Sequence, residues 1–183
     1  MDESQLWSAA LGGDGHAFGR LFDTHQARVI RHAAHIVDEK QDAEDVAATA
    51  FFELWRLRRK VRLVNGSILP WLLATTTNVA RNTTRSARRY NRVLRSLPRD
   101  QDSSYDVADL IDTTSRETRE ALKKSLQAMA PVDAALLTLT ALEGLSTADA
   151  ARAVGIKPNT ARVRLHRAKA NARQTLQTKE AIS

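Results

Sequence analysis

The sequence predicts an all-α protein with two small helical domains joined by a flexible acidic linker, the second domain being a helix-turn-helix. Apolar residues recur at steps of three and four along the 183-residue chain, and β-branched residues do not alternate over any useful length. Charge is also segregated. Residues 85–99 hold six arginines and no acid, whereas residues 100–114 hold five aspartates and no base. This reversal marks the predicted boundary between the domains.

The first domain, residues 1–97, is predicted to contain three helices. Residues 17–37 carry apolar side chains at helical spacing. The next helix is expected to begin after Asp42 as its N-cap and to run to Trp55, because seven apolar residues follow the helical period. The third is expected to run from Trp71 to about Tyr90, since Pro70 suits the first turn of a helix.

A linker and a second domain follow. Residues 98–114 are polar and acidic, so they are interpreted as the linker; a surface loop within one domain is the alternative. The second domain, residues 115–183, is expected to hold helices over 121–129 and 136–142. Ser146 is then expected to cap a short helix, Gly155 to make a tight turn, and Pro158 to open a basic helix reaching about Gln177. A short helix, a glycine turn and a basic helix form the helix-turn-helix pattern.

Composition restricts the functions open to the chain. The net charge of +7 and the pI of about 10.2 favour a polyanionic partner, either nucleic acid or an anionic membrane surface. The absence of cysteine excludes disulfides, thiolate metal sites and a cysteine nucleophile. No apolar run is long enough for membrane insertion, and the acidic N-terminus is unlike a signal peptide. The expected location is therefore the cytoplasm.

The last predicted helix has the pattern of a DNA recognition helix. One side is apolar, and between Arg152 and Arg173 there are seven basic residues and no acid. Arginine can contact guanine through two hydrogen bonds, and Val163 can touch a thymine methyl group. The alternative is a solvated basic face. The predicted duplex-binding residues are Asn159, Thr160, Arg162, Val163, Arg164, His166, Arg167 and Lys169.

A second basic stripe lies on the helix after Pro70. Its amide and cationic side chains share one face with Trp71, a combination that suits single-stranded as well as duplex DNA. A solvated arginine face is the alternative for the stripe, and a place in the core is the alternative for Trp71. The stripe comprises Asn78, Arg81, Asn82, Arg85, Arg88 and Arg89. The preceding turn, Asn65-Gly66-Ser67, is predicted to form a pocket for a flipped base.

The helix from Asp42 to Trp55 is predicted to carry a protein-binding surface. Glu44 and Asp45 lie near one end, and Phe51, Phe52 and Trp55 lie near the other. Some of these aromatic residues must enter the core, but Phe52 lies off the apolar stripe. A surplus apolar residue beside acids is typical of an interaction surface.

Catalytic and metal-binding patterns are missing from the sequence. His32 and His35 are three residues apart, but no carboxylate cluster completes a metal site, so both are interpreted as part of a polar helix face. There is also no glycine-rich phosphate loop. We therefore expect no enzymatic activity, no metal and no cofactor.

Taken together, these motifs resemble those of the extracytoplasmic-function sigma factors, the smallest class of bacterial sigma factor. The resemblance runs in order along the chain and includes 14–22, 42–55, 70–82 and 143–168, with Glu143-Gly144-Leu145-Ser146 opening the last match. The chain departs from the family pattern at Ser86, at Asn159-Thr160-Ala161 and at Ala48-Thr49.

The resemblance implies a transcription initiation factor with core RNA polymerase and promoter DNA as partners. The helix from 42 to 55 would bind the clamp of the β′ subunit. The stripe and its preceding turn would recognise the melted −10 element, while the second domain would lie on the β flap and bind the −35 duplex. An anti-sigma factor is a further possible partner. Two rival functions remain: a dimeric helix-turn-helix repressor or activator without polymerase binding, and a nucleic-acid enzyme.

Overall fold

The computed structural model describes residues 1–94 and 116–180, and these ranges are mostly helical. Side-chain environments are described for residues 1–86 and 120–174. A 3-10 turn follows α3, and an isolated bridge pairs Val64 with Ser67. The predicted all-α class is confirmed. The helices are α1 (Glu3–Leu11), α2 (Gly15–Ala34), α3 (Lys40–Leu57), α4 (Leu69–Leu94), α5 (Arg116–Ala128), α6 (Pro131–Ala141), α7 (Thr147–Val154) and α8 (Pro158–Glu180).

The first helix was not predicted from the sequence. Asp2 caps α1 by accepting a hydrogen bond from the Gln5 amide at 2.8 Å, and the Gln5 side chain accepts one from the Asp2 amide. This reciprocal capping box satisfies two amide groups that a helix start leaves unpaired. Leu6 and Trp7 are buried, so α1 forms part of the core.

The start of α3 differs from the prediction. The helix begins at Lys40 with Glu39 at the N-cap position, so the assignment of Asp42 as the cap is wrong. The Ala43 amide already donates to the Glu39 carbonyl, which makes Asp42 a residue of the first helical turn. Burial, together with the nearby charges of Asp45 and Asp38, raises the pKa of Asp42.

The turn before α4 has the predicted position. Asn65 and Gly66 both have positive φ, 53° and 80°, which is the backbone that Asn-Gly pairs adopt in tight turns. The Val64 and Ser67 amides and carbonyls pair across the turn. The Ser67 hydroxyl then accepts from the Leu69 amide at 3.1 Å, where α4 begins. The turn therefore fixes both the position and the direction of α4.

The helix-turn-helix of the C-terminal half is formed by α7 and α8. The Ser146 hydroxyl caps α7 by accepting from the Asp149 amide at 3.0 Å. Gly155 then takes the left-handed conformation, with φ of 76°, which ends α7 and redirects the chain. Pro158 opens α8, as predicted, and this helix continues to Glu180 rather than to about Gln177.

The N-terminal half (α1–α4) and the C-terminal half (α5–α8) pack against each other along α4. This helix contacts α2 and α3 on one side and α6 and α7 on the other. Leu72 and Leu73 are fully buried, as are the hydroxyl-bearing residues Thr76 and Thr77. A single apolar core continues through both halves.

Some predictions fall on residues that the structure leaves undescribed. The acidic linker at 98–114 lies outside the described residues, as do the side chains of Arg88 and Arg89. The proposed boundaries at 97 and 115 therefore stay predictions. Within 1–94 and 116–180, no helix combines the length and apolar character required to span a bilayer.

Candidate nucleic-acid interface

The front of α8 is an exposed polar and cationic surface on a helix with a buried apolar back. The predicted back is confirmed, because Ala161, Leu165, Ala168 and Ala172 are all buried. Val163, on the opposite side, is 53% exposed. The other exposed residues of the front are Asn159, Thr160, Arg162, His166, Arg167 and Lys169.

Arg164 differs from the rest of the predicted duplex-binding set. Its side chain is half-buried, and Nε donates a hydrogen bond to Asp133 Oδ1 on α6 at 2.6 Å. A charge-assisted contact of this kind holds the guanidinium in one orientation. In this structure, the Arg164 side chain therefore links α8 to α6 through its contact with Asp133.

The stripe on α4 is divided between solvent and the C-terminal half. Asn82 and Arg85 are exposed. Asn78 is half-buried, and its Oδ1 atom is buried without a hydrogen-bond partner. Arg81 points into the C-terminal half instead of into solvent, so in this arrangement the solvent-exposed part of the stripe is interrupted at Arg81.

The contacts of Arg81 explain its position. Its Nε donates to the Leu126 carbonyl at 2.8 Å, and Nη2 donates to the Met129 carbonyl. These carbonyls lie at the end of α5, where a helix leaves its last carbonyl groups unpaired. A guanidinium has only donors to offer, so it suits these acceptors. Burial, followed by the nearby charge of Arg85, lowers the pKa of Arg81.

The polar groups of the turn before α4 are already engaged. The Ser67 hydroxyl donates to Glu3 Oε1 at 2.9 Å, and the Ser4 hydroxyl donates to the Gly66 carbonyl at 3.2 Å. Arg152 of α7 donates to Asn65 Oδ1 at 3.3 Å. The predicted base pocket is thus partly filled by α1 and α7. Trp71 is half-buried against the core, a position between the two alternatives predicted for it.

The aromatic residues of α3 separate into core and surface. Phe51 is buried and lies 4.6 Å from the ring centroid of Phe22, so its assignment to a binding surface is wrong. Phe52 is 63% exposed, which matches its position off the apolar stripe. Trp55 is half-buried, and its ring centroid lies 5.0 Å from that of Phe18. The exposed members of the predicted surface are Glu44, Asp45 and Phe52.

A buried polar network joins the two halves. His32 of α2 is fully buried, with Nδ1 at 2.6 Å from Glu143 Oε1 and Nε2 at 2.8 Å from Thr77 Oγ1. The Thr77 hydroxyl lies 2.9 Å from that of Thr138 on α6. Arg28 donates to Glu143 Oε2 through both Nε and Nη2, at 2.9 and 2.8 Å. The interpretation of His32 as part of a polar helix face is therefore wrong.

The charge of Glu143 follows from this network. Burial disfavours its ionised form, but the hydrogen bonds and charges of His32 and Arg28 outweigh burial and lower its pKa to about 2. A carboxylate can only accept hydrogen bonds, so the Nδ1 atom of His32 carries the proton of the shared hydrogen bond. Lys123 of α5 makes a second ion pair between the halves, with Asp38 Oδ1 at 2.8 Å.

Two family models match the chain in the order of its halves. The model described as sigma-70 region 2 matches residues 21–90, and the model described as sigma-70, region 4 matches residues 119–171. Together they cover about two thirds of the chain. The first match includes most of α4 with its stripe, and the second includes α7 and most of α8.

Relatives and a solved structure agree with these matches. An RNA polymerase sigma factor, CarQ of Myxococcus xanthus, is 28% identical over 165 residues, which is 90% of this chain and 91% of the relative. The extracytoplasmic-function (ECF) sigma factor SigM of Mycobacterium tuberculosis is 26% identical over 95% of this chain and 84% of its own. The fold is similar to that of the sigma factor RpoE in its complex with the anti-sigma factor NepR from Bartonella quintana. That match has a TM-score of 0.55 and 17% identity, and it covers 87% of this chain and 96% of RpoE.

Proposed function

The chain belongs to the sigma-70 family as an ECF sigma factor, and from this premise we propose which of its surfaces bind the promoter and the polymerase. Its function is to direct core RNA polymerase to promoters. The alternative of a dimeric repressor or activator is wrong, because residues 21–90 match a region that belongs to sigma factors. Members of this family are transcription factors without enzymatic activity.

We assign −35 duplex recognition to the front of α8, and this surface is the main support for the proposed function. It combines an apolar back, a glycine turn at the N-terminal end and a front with no acidic residue. Asn159 and Val163 lie nearest the N-terminal end, where recognition helices contact base edges. Arg162 and Arg167 supply donors for guanine or for phosphate.

We assign −10 recognition to α4. Asn82 has both a donor and an acceptor, so it can read the edge of an unstacked base. Arg85 has only donors and suits the neighbouring phosphate groups. Both are exposed in this structure. Asn78 and Arg81 belong to the same proposed surface, but in this arrangement Arg81 donates to carbonyl groups of the C-terminal half.

We assign polymerase binding to the exposed part of α3. Phe52 offers a large apolar side chain to a partner, and Glu44 and Asp45 offer negative charge on the same helix. The proposed contact is the clamp of the β′ subunit, with the C-terminal half on the β flap. An anti-sigma factor is a further proposed partner, in line with the complex reported for RpoE. Because its partner is core polymerase, the proposed place of action is the bacterial cytoplasm.

Transcription in vitro tests these assignments. Core polymerase from the source bacterium is supplied with genomic fragments, with and without the protein, and the transcript ends define its promoters. Asn82→Ala should reduce the differences in transcription among −10 variants of such a promoter. Arg85→Ala should instead reduce transcription from all of these variants to the same degree. Arg31→Ala is the matched control, because Arg31 is an exposed arginine on α2, outside the proposed surfaces. Unchanged discrimination by Asn82→Ala on closed and pre-melted templates would refute the α4 assignment.

A further inference from the structure

We propose that α1 is a positioning element for −10 recognition, in which Glu3 and Ser4 hold the turn at residues 65–67 in the shape that receives an unstacked base. This inference rests on the proposed function of α4 and on the base pocket predicted in the turn before it. It assigns a role to a helix that precedes the match to sigma-70 region 2, which begins at residue 21.

Glu3 makes the main contact between α1 and the turn. One carboxylate oxygen, Oε1, accepts from the Ser67 hydroxyl at 2.9 Å and from the Ile68 amide at 2.7 Å. Nε2 of the buried His25 on α2 lies 3.1 Å from the same oxygen. The Glu3 side chain is 25% exposed, so water has limited access to these contacts. Groups from α2 and from the turn therefore converge on one atom of α1.

Ser4 contacts the tip of the same turn. Its hydroxyl donates to the Gly66 carbonyl at 3.2 Å. A Cβ atom at Gly66 would lie 3.3 Å from the Ser4 hydroxyl oxygen, so the glycine allows α1 to approach closely. The helix thus packs against the tip of the turn as well as against its end.

The backbone of the turn benefits from this support. Asn65 and Gly66 both have positive φ, a region that residues with a side chain enter at a cost. Across the turn, two backbone hydrogen bonds join Val64 and Ser67. A loop that is held in its binding shape beforehand pays less of the ordering cost when a ligand binds. The contacts from α1 therefore pre-organise the turn.

The pre-organised turn presents Asn65 to a base. Asn65 is exposed, and its Oδ1 atom accepts from Arg152 in this arrangement. Its amide nitrogen adds two donors for a base edge. The Glu3 carboxylate lies on the other side of the turn, at the start of α4, where the helix dipole favours a negative charge. Glu3 is thus placed to act through the turn rather than on DNA.

Base preference in transcription tests this role. All four bases are compared at each −10 position of a promoter of this protein, with core polymerase present. Glu3→Ala should lower the preference about tenfold at the position that Asn65→Ala also affects, because a well-aligned base contact is worth about 5- to 150-fold. Ser4→Ala should lower it there by a smaller factor. Glu3→Gln should restore most of the preference, since its amide oxygen still accepts from the turn.

Two matched variants control for the changes in α1. Ser8→Ala removes an exposed hydroxyl one helical turn beyond Ser4, and Asp23→Ala removes an exposed carboxylate from α2. Both should leave the −10 preference unchanged. Amide hydrogen exchange at residues 66–68 tests the contact in the free chain. This exchange should be faster in Glu3→Ala than in Glu3→Gln or Asp23→Ala, and circular dichroism checks that each variant is folded.

Double variants show whether Glu3 acts through the turn. Glu3→Ala should add little to the effect of Asn65→Ala, because both changes disturb the same contact with a base. It should add fully to the effect of Asn82→Ala, since Asn82 lies about 20 Å along α4 from the start of the helix.

The outcomes separate this inference from the proposed function. Full −10 preference in folded Glu3→Ala, with a loss in Asn65→Ala, would overturn the role of α1 and leave the α4 assignment intact. An equal loss of transcription from all −10 variants in Glu3→Ala would also overturn it, because the effect would then be a general one. If Glu3→Ala does not fold, equal preference in Ser4→Ala and Ser8→Ala overturns the inference.

The turn and α4 are tested separately by their own variants. Unchanged preference in Asn65→Ala, with a loss in Asn82→Ala, would show that the turn reads no base, which overturns this inference alone. Unchanged preference in both variants would refute the −10 assignment of α4 and the inference with it.

Discussion

Replacement of Glu143 by glutamine should weaken the packing of the two halves at neutral pH, and the effect should diminish as the solution becomes acidic. In the packed form the pKa of Glu143 is about 2, whereas the ordinary value is 4.5. A depressed pKa stabilises the form in which it occurs at every pH above the ordinary value. This stabilisation is lost as the pH falls from about 4.5 towards 2.

The size of the effect follows from the same two values. The difference corresponds to at most about 3–4 kcal/mol of stabilisation at neutral pH, since one pKa unit is worth about 1.4 kcal/mol. The Glu143 side chain is only 9% exposed, so solvent screens the interaction little. Near pH 3 the contribution should fall to about 1.5 kcal/mol, because much of the carboxylate is then protonated when the halves separate.

Energy transfer between two dyes can measure this balance. Cysteines introduced at Asp23 and Ala170, which are exposed and lie in different halves, are the only labelling sites because the native chain has none. The urea concentration that separates the dyes is compared for the native and Glu143→Gln chains at neutral pH and near pH 3. A gap between the two chains that stays constant with pH would refute the reasoning, as would a measured Glu143 pKa near 4.5.

Three further predictions concern the surfaces and the fold. Phe52→Ala should change the free energy of unfolding by less than about 0.5 kcal/mol but weaken the ability of the protein to compete for core polymerase. Phe51→Ala, in the core, should lower the free energy of unfolding by about 3–5 kcal/mol. Unchanged polymerase affinity of the folded Phe52→Ala protein would contradict the α3 assignment. Arg167→Ala should weaken duplex binding by about 1–3 kcal/mol without changing the melting temperature, while Arg164→Ala should lower that temperature by removing the α8–α6 contact. Gly155→Ala should destabilise the fold by about 1–2 kcal/mol in urea unfolding, since Gly155 has positive φ, and an unchanged midpoint would contradict this.

The predictions that succeeded depend on local rules. The apolar back of α8 is visible in the sequence because residues three and four apart share one side of a helix. Ser146 and Gly155 are equally local, since a cap and a left-handed turn each depend on a few neighbouring residues. Phe52 was separated from the core by the same periodicity. Helices, their ends and their exposed faces could therefore be predicted without knowledge of the packing.

The failures at His32 and Arg81 involve partners that are distant in sequence. His32 contacts Thr77 and Glu143, residues that are 45 and 111 positions away, so no local pattern distinguishes it from a solvated histidine. Arg81 has the helical spacing of a DNA-binding stripe, yet its acceptors belong to the end of α5. One signal was present: Glu143 opens a motif that resembled the sigma family, but the motif did not indicate what the carboxylate contacts.

Among the polar contacts between the halves, those of Arg81 and those of Glu143 should contribute unequally to the barrier against separation of the halves. When α4 is uncovered, the Arg81 guanidinium can exchange the carbonyl groups of α5 for phosphate groups of DNA, so its donors remain satisfied. Glu143 has no such replacement in the proposed complex, and its separation from Arg28 and His32 leaves the carboxylate to water. Glu143 should therefore contribute more than Arg81 to the polar part of this barrier, to which the apolar core shared by both halves adds its own contribution.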